Sequence, residues 1–368
     1  MTSDESTPPQ DLYDAGGVDE VAKLVMIQEL ERLGYDSDES RDLVERGDLA
    51  GVAPDLALLG PGQLTIAELS ELSAVPVDLI ELIWLNTGMP VPGSDVKLFY
   101  EADVDLLHAI VPMLELFEPD VMFQMLRVVG SSMARIAGAT ETAFVTGVER
   151  RITESGGGDA DLAAAAVAGL QSLRLMNSVL GVLLGHHIRI VMERGRATRD
   201  ATDRWETAAW AIGFVDLAGY TSLSEWLEPA DLAALVSSFE QTCHEVITAG
   251  NAMLVKLIGD EAMFAVPLAT TACDIVRELL DRLSSIGANA VPRAGMAFGE
   301  VITKDGDFHG PVVNLAARAC DIAVPDEILV SDLFVHAVGA DYRYHFEPAG
   351  RRQLKGFAHP QPLWTLER

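Results

Sequence analysis

The chain is 368 residues long and 49% hydrophobic, with 56 acidic against 26 basic residues and a formal net charge of −30. There is apolar material for two packed domains. So acidic a chain excludes the dense Lys/Arg clusters by which duplex nucleic acid is bound, and argues against an anionic membrane surface.

Residues 1–16 are polar and acidic without apolar periodicity, so a disordered tail is expected and not a signal peptide. Val21, Leu24, Val25, Ile27, Leu30 and Leu33 recur at helical spacing, and Gly34 supplies a stop. A loop-like stretch with Pro54, Gly60, Pro61 and Gly62 follows. Residues 65–90 predict two short helices with a turn between them. Helices are then expected over 101–117 and from 120 to about 151. Glu154-Ser155-Gly156-Gly157-Gly158 interrupts the pattern, and a long helix is expected from about 162 to 193, ending at Gly195. Its apolar run is broken by Gln171, Ser172, Arg174 and Asn177, so no membrane span is expected. No strand pattern precedes residue 205, and this half reads as all-helical.

The pattern changes after the charged stretch 194–204. Strands are expected over 208–215, 252–258, 262–266 and 293–301, and near Ile328 and Tyr342. Helices are expected over 229–249, 269–285 and 312–322. The order βαββαβ predicts an α+β fold with helices on one face of the sheet. The expected organisation is a tail (1–16), a helical domain (17–190), a linker (191–205) and an α+β domain (206–368). Cys243, Cys273 and Cys320 form no CxxC pair and fit reduced core thiols in a cytoplasm.

Two segments carry the chemistry. In FVDLAGYTSL, residues 214–223, a carboxylate ends a strand and a small-residue turn opens the next helix. Such a turn presents backbone N–H groups that suit phosphate. In LVKLIGDEAMF, residues 254–264, Asp260 stands at a hairpin tip with Lys256 four residues earlier. Two neighbouring carboxylates repel unless a cation lies between them, and paired divalent ions about 3.5–4 Å apart are the usual device for in-line displacement at phosphorus.

Taken with Asp307, Asn314 and Arg318 in DFHGPVVNLAAR and with Gly350, Leu354, Lys355 and Gly356 further on, these residues resemble the class III nucleotidyl cyclases. The pattern F-x-D-x-x-G-[FY]-T is met by Phe214, Asp216, Gly219, Tyr220 and Thr221, and K-x-x-G-D by Lys256, Gly259 and Asp260. The resemblance covers about residues 206–368 and implies a ferredoxin-like (βαββαβ) cyclase domain. It implies Asp216 and Asp260 as ligands of two divalent metal ions, Mg²⁺ or Mn²⁺. It implies Lys256 and Asp307 as readers of the adenine edge, which needs a donor at N1 and an acceptor for its amino group. It further implies Asn314 on the ribose, Arg318 on the transferring phosphate, Lys355 on the triphosphate, and Gly219, Tyr220 and Thr221 around the phosphates. The implied reaction converts ATP to cyclic AMP and pyrophosphate in a homodimer, one chain supplying the metal carboxylates and the other the remaining groups.

The helical half includes a helix-turn-helix-like segment, TIAELSELSAVP onward, but between Leu49 and Ile110 Lys97 is the single Lys or Arg. A DNA reader needs several phosphate contacts, so no nucleic-acid partner is expected. With its helical first half the chain resembles actinobacterial soluble adenylyl cyclases, which implies a regulatory, autoinhibitory N-terminal domain answering to a proton or a small molecule. His186, His187 and His309 are the candidate titrating groups. A guanylyl cyclase is disfavoured by Lys256 and Asp307, a diguanylate cyclase by the missing GGDEF hairpin, and a transcription regulator by charge. A catalytically dead sensor is disfavoured because every chemical position is filled.

Overall fold

The computed structural model describes residues 18–32, 35–46, 62–199, 207–286 and 291–368. The expected disordered tail and the loop around Pro54, Gly60 and Pro61 lie outside the described residues. The chain divides into two compact units, Met1–His186 and His187–Arg368.

The first unit is helical. Helices α1 (Val18–Arg32) and α2 (Ser37–Arg46) bury Met26, Leu30, Tyr35 and Val44. Helix α2 was not expected: its sequence SDESRDLVER is almost wholly charged or polar, so it has no apolar periodicity to read. Helix α3 (Ile66–Ser73) starts where Thr65 closes a capping box with Glu68 and ends where Ala74 turns left-handed, at φ 56°. Pro76 opens α4 (Val77–Asn86). Then come α5 (Glu101–Leu116), α6 (Pro119–Phe144), a π-turn (Val145–Glu149) and α7 (Arg150–Glu154). Ile66, Leu69, Ile80, Ile83, Phe99, Leu107, Ile110, Met122 and Leu126 form the core of α3 to α6. A lone β-bridge joins Leu64 to Phe99, and Trp84 meets Phe99 edge-on with centroids 4.8 Å apart. In the helix-turn-helix-like pair the second helix, α4, exposes Asp78, Leu82 and Leu85. That face is acidic and apolar, so it has no cation to offer a phosphate.

Helix α8 (Asp159–Arg199) runs on through Gly195, where the sequence predicted its end. A glycine ends a helix by turning left-handed at its cap; within good helix formers it only weakens the helix. Leu175–Arg194 is long and apolar enough to cross a membrane by length and composition, with mean hydropathy 1.4 and none of it buried. This stretch begins after three of the four polar interruptions noted in the sequence but still contains His186, His187, Arg189 and Glu193.

The second unit runs β1 (Thr207–Ala218), α9 (Tyr220–Ser224), α10 (Pro229–Ala249), β2 (Met253–Ile258), β3 (Glu261–Val266), α11 (Ala269–Leu283) and β4 (Val291–Lys304). It continues with β5 (Asp307–His309), α12 (Pro311–Ile322), β6 (Ile328–Ser331), α13 (Asp332–Val338), β7 (Phe346–Arg352) and β8 (Gln361–Leu366). The strand order is β2-β3-β1-β4-β6-β8-β7, with β5 paired to β4. The β4–β6 pairing is parallel and the others antiparallel. The βαββαβ order is as expected.

The helices do not share one face. Ala211, Val215, Phe264 and Met296 pack with α10 and α11, while Ile212, Phe214, Met263 and Ala297 pack with α12 on the other side. Strand β1 is apolar on both alternating faces, and a sheet with two apolar faces needs cover on both. The strand expected near Tyr342 begins instead at Phe346; Tyr342 is an exposed loop residue. Tyr344, two residues on, is buried, with the guanidinium groups of Arg277 and Arg343 at 5.2 and 4.9 Å from its ring centre. Strands β5 and β8 and helix α13 were not expected from the sequence.

Candidate active site

Strand register builds the carboxylate corner. Across β1 and β3, Asp216 faces Glu261; across β1 and β4 it faces Arg293. Ile258 pairs with Glu261, so Gly259 and Asp260 form a two-residue hairpin turn. Gly259 takes φ 63°, as the first central residue of such a turn requires. Asp260 is thereby brought within hydrogen-bond reach of Asp216.

Burial and the neighbouring Asp216 push the Asp260 carboxyl up to about 7. Burial and the charges of Asp216 and Asp321 raise that of Glu261. The charges of Arg293 and Arg318 oppose the rise at Glu261, and Arg293 donates through Nε and Nη2 to Asp216 Oδ2, at 2.8 and 2.5 Å. Its Nη1 binds the Asp321 carbonyl at 2.8 Å. The corner thus carries more negative than positive charge. Its donors are hard oxygens, the kind Mg²⁺ and Mn²⁺ take. Among the described residues no group of three or more His, Cys, Asp and Glu converges. Asp216 and Asp260 therefore fit a cation that also draws oxygens from the backbone or from a phosphorylated substrate.

The turn after β1 is set by Gly219, whose φ of 84° favours glycine, before the single turn of helix α9 that begins with Tyr220 and Thr221. A helix of five residues has little macrodipole. Its backbone N–H groups are what a phosphate would meet there.

A second group joins Lys256, within β2, to Asp307, the first residue of β5. Lys256 Nζ donates to Asp307 Oδ2 at 2.6 Å, and Phe308 N–H donates to Asp307 Oδ1 at 2.7 Å. Burial alone would raise the Asp307 carboxyl, but Lys256 and the Phe308 N–H outweigh it and hold it below its ordinary value. A donor and an acceptor, 51 residues apart in sequence, thus stand side by side.

The third group lies along α12. Asn314 and Arg318, one turn apart, line a cavity of about 330 Å³ with Pro311, Lys355, Gly356 and Phe357. Neither Asp216 nor Asp260 lines it. Arg318 Nη1 donates to Asp321 Oδ2 at 2.5 Å. Helix α12 lies close on β4: a Cβ built on Gly295 would stand 2.1 Å from Cys320 N and 2.4 Å from Ala316 O.

The candidate residues therefore fall into three groups: Asp216 with Asp260, Lys256 with Asp307, and Asn314 with Arg318 and Lys355. Sequence reasoning missed Arg293, Glu261 and Asp321. One signal was readable: Arg293 is the single charge in the apolar run VPRAGMAF, and a charge inside a central strand needs a partner.

Residues 205–368 match the family described as the adenylate and guanylate cyclase catalytic domain. An uncharacterised protein of Mycobacterium tuberculosis is 31% identical over 306 residues, covering 82% of this chain and 80% of that one. An adenylate cyclase of Streptomyces coelicolor is 27% identical over 334 residues, covering 80% and 84%. A pH-sensitive adenylate cyclase of Mycobacterium tuberculosis is 26% identical over 318 residues, covering 82% and 77%. These alignments are longer than the catalytic region, so the likeness extends into the helical half.

Proposed function

Since the chain belongs to the class III adenylyl cyclase family, we propose that it converts ATP to 3′,5′-cyclic AMP and pyrophosphate, as a homodimer with two equivalent sites. The observation that carries the shared site is the cavity along α12: Asn314, Arg318 and Lys355 line it, and the carboxylates Asp216 and Asp260 do not. A second copy of the chain supplies the missing pair.

In this reading Asp216 and Asp260 hold Mg²⁺ or Mn²⁺, which supplies charge neutralisation on the triphosphate and activation of the ribose 3′-hydroxyl. The chain's own groups do the rest. Lys256 donates to adenine N1 and Asp307 accepts from the adenine amino group; the carboxylate keeps lone pairs for this although both its oxygens are engaged. Asn314 fixes the ribose so that its 3′-oxygen stands in line with the α-phosphorus. Arg318 stabilises charge growing on the α-phosphate, and Lys355 binds the leaving pyrophosphate. Gly219, Tyr220 and Thr221 offer backbone N–H groups to the phosphates.

ATP preference rests on the Lys256–Asp307 pair, because guanine reverses both hydrogen-bond needs and would leave buried polar groups unpaired. Turnover of ATP and GTP by the full chain tests it. ATP should give cyclic AMP, and GTP should show at least about a hundredfold lower kcat/KM. Equal or better use of GTP would reject the assignment.

The helical unit is proposed as a regulatory, autoinhibitory domain. One relative, at 26% identity, is named pH-sensitive. His186 and His187, exposed on α8, and His309, exposed at the end of β5, are the proposed proton-responsive groups. Their combined replacement by Ala should flatten the activity–pH profile between about pH 5 and 8. An unchanged profile would remove them. Three buried free thiols, Cys243, Cys273 and Cys320, support a reducing, cytoplasmic setting.

A further inference from the structure

Asp321 stands where local physics disfavours it. It is the penultimate residue of α12, at the negative end of the helix dipole, where a carboxylate costs stability and Lys or Arg is preferred. Its charge also acts on Glu261, in the corner already crowded by Asp216. Its favourable charge partners are Arg293 and Arg318, and a residue kept against local electrostatics for the sake of such partners marks their function more often than the fold. Its carboxylate has a definite partner: Asp321 Oδ2 accepts from Arg318 Nη1 at 2.5 Å, one turn back on the same helix face. Its backbone carbonyl accepts from Arg293, the partner of Asp216.

Resting on the reading of Arg318 given above, we propose that Asp321 is a positioning residue that holds the Arg318 guanidinium in the orientation the transferring phosphate requires. Both side chains are about two-fifths exposed, at 40% and 45%, so the pair adds little to folding. Its effect lies elsewhere. Arginine has a long, rotamer-rich side chain, and its five N–H donors lie in one rigid plane. Fixing one nitrogen on Asp321 fixes the plane of the remaining donors before substrate arrives. Arg318 already lines the cavity beside Asn314 and Lys355, so the restriction applies where the phosphate is to be met. The Asp321 carbonyl that binds Arg293 belongs to the backbone, so a side-chain change at this position leaves that contact in place.

The alternative is an ordinary surface ion pair with no catalytic consequence. A double-mutant cycle separates the two. Asp321→Ala in the full chain should lower kcat about tenfold with KM within about twofold, because the group acts on the transition state rather than on binding. The melting temperature should stay nearly the same, since the charge removed is unfavourable at the helix end but favourable to the part-exposed Arg318 and to Arg293. Asp321→Glu, which also reaches Arg318 at this spacing, should restore most of kcat. In an Arg318→Ala background, followed by single-turnover conversion of ATP at high enzyme concentration, Asp321→Ala should change nothing further. An unchanged or increased kcat for Asp321→Ala would overturn the proposal, and so would an effect that persists undiminished without Arg318. Failure of the underlying reading looks different: Arg318→Ala would then keep its activity.

Discussion

Gly295→Ala is expected to disable the protein without touching one of the chemical groups. A methyl at that position would stand 2.1 Å from Cys320 N, 2.4 Å from Ala316 O and 2.8 Å from Ala319 C. All three are backbone atoms of α12, so no side chain can swing aside. Gly295 lies on β4 between Phe214 of β1 and Leu329 of β6, so the strand cannot retreat either. The helix must rise. Overpacking of this kind costs about 1–3 kcal/mol, with backbone clashes at the upper end. Asn314 and Arg318 rise with the helix, and a displacement of about 1 Å is enough to lose about a hundredfold in rate. Urea unfolding should show a lowered midpoint, and kcat should fall by about that factor. Gly138→Ala, on α6 with nothing within 4 Å of the added methyl, is the control. There the expected change is a gain of about 0.5–1 kcal/mol from better helix propensity, with activity intact.

Asp216→Asn and Arg318→Ala are each expected to lower turnover at least about a hundredfold, for different physical reasons. The amide oxygen introduced by Asp216→Asn would still accept from Arg293, so the β1–β4 ion pair becomes a hydrogen bond to a neutral group and the fold survives. What is lost is half of a carboxylate pair whose surplus negative charge is the case for a cation. The side chain of Asp216 is 14% exposed, so water cannot substitute for it. Manganese should no longer raise the melting temperature of this variant, and cyclic AMP formation should drop at least about a hundredfold. Arg318→Ala should keep the manganese-dependent rise in melting temperature and lose a similar factor in kcat. The ion pair of Arg318 is with Asp321, at the helix surface, so its removal leaves no buried charge unpaired. The two variants thus fail in separable ways.

Why is so much of this site readable in the sequence, and why not the rest? The roles proposed for Asp216, Lys256, Asp260, Asp307, Asn314 and Arg318 come from motifs in which the chemistry sets the residue types and the fold sets their spacing. Arg293 is not readable in this way, because its role comes from the register that sets it opposite Asp216, 77 residues away in sequence. Glu261 acquires meaning through the same register, and Asp321 through the packing that brings its carbonyl to Arg293. The side taken by α12 escapes a reading of strand order, because the two apolar faces of β1 must be read separately before either is seen to need cover. Helix α2 escapes for want of apolar residues, and Gly195 suggests too early an end for α8 because a cap glycine and an interior glycine look alike in sequence. Periodicity reports an element's burial; it does not report an element held by few apolar contacts.

The central claim is that each site is shared by two chains, and mixing the two inactive variants tests it most directly. Asp216→Asn and Arg318→Ala proteins are to be unfolded and refolded together, with heterodimers verified by tagged pull-down, and cyclic AMP formation then measured. A mixed dimer contains one site with both defects and one with neither. With random pairing, half the dimers are mixed and each has one intact site, so about a quarter of wild-type activity should return. Activity that stays at the level of the separate variants, in verified mixed dimers, would contradict a shared site and place Asp216 and Arg318 of one chain on the same substrate.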